Sequence, residues 1–195
     1  KVCNEGALPL IVIRPRTILG EGRLGIFQIL FKWIQEGVNI YIIGKGEHLF
    51  QFVHAHDLID AYMLAMDRKQ FGIYNVGTDS FKTLAEDLED LIAFAKSKSK
   101  LRRLPEKLSI FALTVLDFLK LSPLAPWHYL TYHKAFHFDV TPLKELGWKP
   151  KYSNTQLFEE SYSQFLETDL ELKKEGSPHR RILDEKILWL MKKLP

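Results

Sequence analysis

Three stretches of this 195-residue chain hold side chains that could do chemistry. His54-Ala55-His56-Asp57 sets two imidazoles one residue apart. Such a pair can ligate a metal, but a tetrahedral site needs a third ligand at recognisable spacing, and none stands near. Structural or substrate-facing histidines are the better reading. The second stretch, residues 124–137, is rich in aromatics and histidines, with Trp127, His128, Tyr129, Tyr132, His133 and His137 among them. A histidine there could move a proton near neutral pH. A mixed loop that lines a pocket or caps the core is the commoner use of such residues. The third, Gly44-Lys45-Gly46, is a weak phosphate signal, because a third glycine and a directly following helix are missing. Cys3 is the single cysteine. It excludes an internal disulfide, fits a reducing, cytoplasmic compartment and reads as a small core residue.

Bulk charge says little about partners. The net charge of +3 gives no sign of nucleic acid. With 46% hydrophobic and 26% charged residues, the composition is that of a globular chain, either one domain or a piece of a larger one. The charge is uneven, however: from Lys173 onward seven Lys/Arg stand against three Asp/Glu. No signal peptide is read at the N-terminus. The most apolar stretch, 108–121, contains Asp117 and Lys120 and falls short of the roughly 20 residues that span a bilayer.

The elements that must position these groups can be read in order. Residues 10–13 form a short apolar run suited to a strand covered on both faces, as in a parallel sheet. Arg14-Pro15 should stop it, since proline gives the ladder no N–H. The loop from Pro15 to Gly22 then lies at a strand's carboxyl end, where open α/β sheets hold ligands. Lys1 to Glu5, closed by Gly6, resembles the last turn of a helix, so the chain is expected to begin inside a larger fold. Residues 26–35 read as an amphipathic helix. Residues 38–43 and 49–53 read as strands joined hairpin-fashion around Gly44 and Gly46. Asp57 suits the N-terminus of a helix over 58–66. A strand spans 72–77. Thr83-Leu84-Ala85-Glu86 fits a capping box opening a helix to about Ala95. A short strand over 101–105 leads into a nearly all-round apolar helix over 105–121, which is either deeply covered or docked on something greasy. Asp139 or Thr141 caps a short helix ended by Gly147-Trp148-Lys149-Pro150. Helix 155–166, a linker at 173–178 and a basic amphipathic helix built on Leu183, Ile187, Leu190 and Leu194 complete the chain. The tail and the apolar helix could together hold an anionic bilayer surface. Packing of both on the protein's own core is the preferred reading, because amphipathic helices usually dock there.

Several of these segments resemble the C-terminal part of the extended short-chain dehydrogenase/reductases, the NAD-dependent epimerase/dehydratase group. The carrying residues are Ile13-Arg14-Pro15 through Gly20, Gly44-Lys45-Gly46 followed by Gln51-Phe52-Val53-His54-Ala55-His56-Asp57-Leu58, Tyr74-Asn75-Val76-Gly77, and Asp139 through Gly147-Trp148-Lys149-Pro150. The likeness covers roughly residues 8–165. It implies an α/β fold: the C-terminal strands of a Rossmann-like parallel sheet, interleaved with a smaller, mostly helical substrate-binding lobe. Residues 1–172 would make up this part, and 173–195 a basic helical tail.

The family's glycine-rich cofactor turn and its Tyr-x-x-x-Lys pair are not found in matching positions. The resemblance therefore implies NAD or NADP held together with an upstream Rossmann half, a small-molecule substrate, nucleotide-sugar-like or sterol-like, and a homodimer as an option. It assigns Pro15, Arg16 and Thr17 to the nicotinamide end of the cofactor. It assigns Thr17, Phe50, Gln51, His54, Tyr129 and Tyr132 to substrate, with no catalytic residue in this chain. Nucleotide-sugar enzymes often carry an arginine at the position of Phe50, where it holds the diphosphate. An apolar ring cannot replace that guanidinium fork, which argues for a less charged substrate. A non-catalytic binding or membrane-associated module on the same scaffold is the alternative.

Overall fold

The computed structural model describes residues 10–20, 24–25, 27–69, 71–119 and 134–175. Tyr129, Tyr132, Cys3 and the basic tail beyond residue 175 lie outside them. The elements run β1 (Ile11–Pro15), β2 (Thr17–Leu19), α1 (Phe27–Glu36), β3 (Ile40–Ile43), β4 (Phe52–His54), α2 (Ala55–Arg68), β5 (Gly72–Val76), α3 (Leu84–Phe94), β6 (Leu101–Leu104), α4 (Glu106–Phe118), α5 (Thr141–Glu145) and α6 (Asn154–Glu175). The strands form three parallel ladders: β1 with β5, β2 with β4, and β3 with β6. Parallel pairs need crossover connections, and here helices supply them. The fold is α/β, with strands and helices alternating as in Rossmann-type folds.

One reading of the strands changes and one is extended. Pro15 ends β1, as expected, but the extended backbone runs on past it. Pro15 pairs with Val76 as the last residue of β1, Arg16 N–H donates to Val76 O at 2.8 Å, and the chain runs on as β2 beside β4. The missing proline N–H is harmless to this ladder because that position points away from β5, the N–H of Arg16 being the one that meets Val76. Strands β3 and β4 do not form a hairpin, since each pairs in parallel with a different strand. Gly46, at φ +74°, lets the turn after β3 press on Ala85 and Ile42 instead of reversing the strand.

The β2–β4 ladder lies between two apolar clusters. Alternation sends Leu19 and Phe52 to one face and Ile18 and Val53 to the other. Leu19 and Phe52 join Phe27, Phe31, Ile34, Leu88 and Phe158. Val53 joins Leu58, Ala61, Val76, Leu143 and Trp148, with Ile18 packed against them. Phe27, Phe52 and Phe158 meet edge to face at 5.0–5.8 Å, the arrangement that ring quadrupoles favour.

Helix ends show where side-chain chemistry decides boundaries. Thr83 and Glu86 close the expected capping box of α3. A second, unforeseen one opens α6: Ser153 N–H donates to Gln156 Oε1 at 2.9 Å, and Gln156 N–H to Ser153 Oγ at 3.2 Å. Helix α6 continues through Glu175, into the stretch read as a linker. Helix α4 lies against β3 with Ile110, Leu113 and Leu116 half-buried, but none of its residues is fully buried.

Asn154, fully buried, ties α6 to the central ladder. Its Oδ1 accepts Phe52 N–H at 3.1 Å, while its Nδ2 donates to Phe50 O and to Asp87 Oδ2, each at 2.7 Å. Burial pushes the Asp87 carboxyl up to about 6, against the opposing pull of the Asn154 amide; Asp90 reinforces the rise and Lys82 opposes it. Asp87 therefore gives its full stabilisation below the ordinary carboxylate value near 3.8 and loses it as pH rises through about 6. Asp87→Asn keeps an acceptor for Asn154 and should remove that slope. Between about pH 4 and about pH 8 the wild type should lose roughly 1–3 kcal/mol relative to the variant. Urea midpoints measured across the range check this, and parallel curves would refute it.

Candidate functional site

The sequence-predicted residues Pro15, Arg16, Thr17, Phe50, Gln51 and His54 all lie along or beside the β2–β4 ladder. Thr17 opposes Phe52, and Leu19 opposes His54. Pro15 and Thr17 are half-buried, whereas Arg16, Phe50, Gln51 and His54 are buried.

At the start of the ladder Arg16 enters an aromatic cage. Its guanidinium carbon stands 3.5 Å from the ring centre of Phe136, 5.1 Å from Phe138 and 5.5 Å from Phe50. Cation–π attraction strengthens as such a site is desolvated. Phe50, only 2% exposed, also packs on Phe52 at 5.0 Å. It belongs to the core as much as to the site.

Gln51 closes the same end, with its amide committed to backbone. Nε2 donates to Thr78 O at 2.7 Å, and Oε1 accepts Phe138 N–H at 2.8 Å. It thus clamps the segment after β5 to the segment that carries the cage. Gly77 makes the clamp fit, because a Cβ there would meet Gln51 Cδ at 2.5 Å.

At the far end His54 caps α2. Its Nδ1 accepts His56 N–H at 3.1 Å, so the neutral ring carries its proton on Nε2. That atom faces Glu160 Oε2 at 3.5 Å, and the ring stacks on Tyr152 at 3.8 Å. Burial lowers the His54 pKa, while Glu160 pulls it up and His56 adds to the lowering. The balance leaves the imidazole below the ordinary histidine value. Because His54 supplies the cap, Asp57 is freed for another task. Its carboxylate accepts Lys151 N–H at 3.0 and 3.1 Å and Tyr152 N–H at 3.2 Å, and its carbonyl accepts Trp148 Nε1–H at 3.0 Å. The paired histidines are thus a cap and its neighbour. No group of metal-binding side chains occurs among the described residues.

The sequence reading missed Asn154, Glu160 and the cage ring Phe138, whereas Phe136 belongs to the aromatic stretch read as lining a pocket or capping the core. Only the Ser153-x-x-Gln156 spacing hinted that the region of Asn154 was structured. The pattern Tyr-x-x-x-Lys does occur, at Tyr41 and Lys45, but on β3 and the turn after it. An extended backbone carries two such residues about 13 Å apart. A helix would place them on one face, one turn apart.

Residues 1–77 match the model of the NAD dependent epimerase/dehydratase family. An uncharacterised protein of Sinorhizobium fredii is 37% identical over 97% of this chain, which corresponds to 50% of that protein. Among solved structures, a dTDP-glucose 4,6-dehydratase of Bacillus anthracis in complex with NAD superposes with a TM-score of 0.60. Its identity is 18%, over 89% of this chain and 49% of that one. A UDP-glucose 4-epimerase of Thermotoga maritima with UDP-glucose gives a TM-score of 0.57 at 22% identity, over 81% of this chain and 46% of that one. At such identities the likeness shows a shared Rossmann-like fold. The chain spans about half the length of these relatives.

Gly77→Ala should force the Gln51 clamp open and cost about 1–3 kcal/mol, read as a lowered thermal midpoint; an unchanged midpoint would remove the clamp's importance. By NMR, the His54 imidazole should titrate below 6.5, and Glu160→Gln should lower it further. A midpoint that rises in Glu160→Gln would contradict the assigned geometry.

Proposed function

Because its first 77 residues match the model of the NAD dependent epimerase/dehydratase family, we propose that it belongs there and forms the substrate-facing wall and the last parallel strands of an NAD(P)-dependent oxidoreductase or epimerase. The cofactor's pyrophosphate and the proton-transferring tyrosine would then be held by sequence outside residues 1–195. In such enzymes the nicotinamide moves hydride while a tyrosinate, helped by a lysine, moves a proton.

One observation carries the reading. The chain passes from β1 to β2 through Arg16, leaving one parallel ladder and entering another at the carboxyl end of β1. That is where this class of sheet binds its ligand. Pro15, Arg16 and Thr17 are the residues assigned to the nicotinamide end. They fit it through backbone and aromatic surface. A pyrophosphate takes a glycine-rich turn in this fold, and these three residues do not form one.

Exposed apolar surface supports the assignment of the rest to another segment. Ile59, Tyr62, Met63 and Met66 line the outer face of α2, and Ile73 projects from β5. Such a patch around a two-stranded parallel ladder calls for further packing, because parallel sheets occur with both faces covered. An upstream Rossmann half of the same protein would supply it.

For substrate, the reading favours something less charged than a nucleotide diphosphate sugar. Phe50 lies in the core, and the nearest cation, Arg16, is enclosed by Phe50, Phe136 and Phe138. Phe136, 43% exposed, presents an apolar surface there.

Calorimetric titration of residues 1–195 with NAD and with NADP tests the division of labour. The isolated chain should show no micromolar binding. The same chain, expressed in one polypeptide with the coding sequence found upstream, should bind. Micromolar binding by the isolated chain would overturn the proposal. So would an upstream sequence without a glycine-rich strand turn, which would instead favour a non-catalytic binding module.

A further inference from the structure

We propose that α4 and the basic segment leading into it form a docking surface for an anionic lipid bilayer. The inference is independent of the dinucleotide reading and rests on a different ladder, β3–β6.

Helix α4 shows two faces. Ile110, Leu113 and Leu116 are half-buried on the side that lies against β3. On the other side Leu108, Phe111, Val115 and Phe118 recur at helical spacing, with exposures of 65%, 68%, 41% and 86%. Leu119, 54% exposed, extends the row past the last turn. A stripe of large apolar side chains this open is costly in water and marks an interaction face.

Charge selects the occupant. Immediately before the stripe come Lys96, Lys98, Lys100, Arg102, Arg103 and Lys107, all exposed, against a single acid, Glu106. Arg103 pairs with Glu89 at 3.1 Å; the others make a one-signed basic collar of the segment that leads into the stripe. A second copy of this chain would bring two such collars together and pay repulsion. A bilayer of anionic lipids instead matches both features, taking the apolar row between acyl chains and the collar at its headgroups. At 13 residues α4 is about 20 Å long, and no helix among the described residues is long and apolar enough to cross a membrane. It would therefore lie in the interface plane.

Phe111 and Phe118 are open enough for aspartate to be placed there without disturbing the fold, which an unchanged far-UV circular dichroism spectrum would verify. The full chain should co-float with phosphatidylcholine–phosphatidylserine vesicles of about 7:3 and not with phosphatidylcholine alone, and rising salt should release it. Phe111→Asp/Phe118→Asp should weaken partitioning by about tenfold or more. Lys98→Glu/Arg102→Glu should abolish the preference for anionic vesicles. Failure to co-float at low salt, or equal binding by the double aspartate variant, would overturn the proposal. So would sedimentation showing a dimer that the double aspartate variant dissolves, since the stripe would then belong to a second copy.

Discussion

The structure depends on burying one short ladder, β2–β4, on both of its faces. Three residues of each strand separate two apolar clusters, and alternation assigns each side chain to one of them. A single-residue slip would send Leu19 and Phe52 to the wrong cluster together with Ile18 and Val53. The register is therefore fixed by packing, although the ladder itself is too short to be stable alone.

Burying the ladder creates a polar problem at its ends, where backbone groups have no strand partner and no water. Each end is met by a side chain from far along the chain. Asn154 serves Phe50 and Phe52, and Gln51 serves Thr78 and Phe138. Asp57 serves Lys151 and Tyr152. A buried donor or acceptor left unpaired costs about 1–3 kcal/mol, more than a typical bond gains. These residues thus hold the joint between the two clusters mainly by making its alternatives expensive. The partly desolvated Asp87 carboxyl is what such a network tolerates when one member remains ionisable.

Much of this was legible in the sequence, and the failures have physical causes. The β-branched run at 10–13, the helix starting near residue 27, the capping box at Thr83 and the strand at 72–76 follow from local pattern. The pairing of strands does not. The turn through Gly44 and Gly46 resembles a hairpin locally, yet β3 finds its partner in β6, which lies 58 residues beyond Lys45 at Arg103. Pro15 does end β1, as its local pattern says, but that pattern gives no sign that the backbone runs on extended and pairs with β4 from Thr17. His54 went unread as a helix cap because serine, threonine, aspartate and asparagine dominate that position. Exposure of α4 could not be read either. An all-round apolar composition is shared by buried helices and by helices that meet a greasy partner, and only the packing tells them apart.

The residues that make the chain resemble the NAD dependent epimerase/dehydratase family are largely those of the joint. Gln51, His54, Asp57 and Gly77 sit inside the recognisable motifs, and each has its polar or steric role occupied by the chain's own backbone or neighbouring side chains. A motif of this kind reports how two clusters are fastened, which is the same whatever the pocket holds. Under the proposed function, substrate choice would then be set by positions the fastening leaves free. Thr17 is one, half-buried in β2. Phe136 is another, exposed over the Arg16 guanidinium. The aromatic cage draws these two conditions together: it satisfies a buried cation from within and turns an apolar ring outward. If the proposed function holds, a site so arranged would discriminate by shape and desolvation more than by ion pairing.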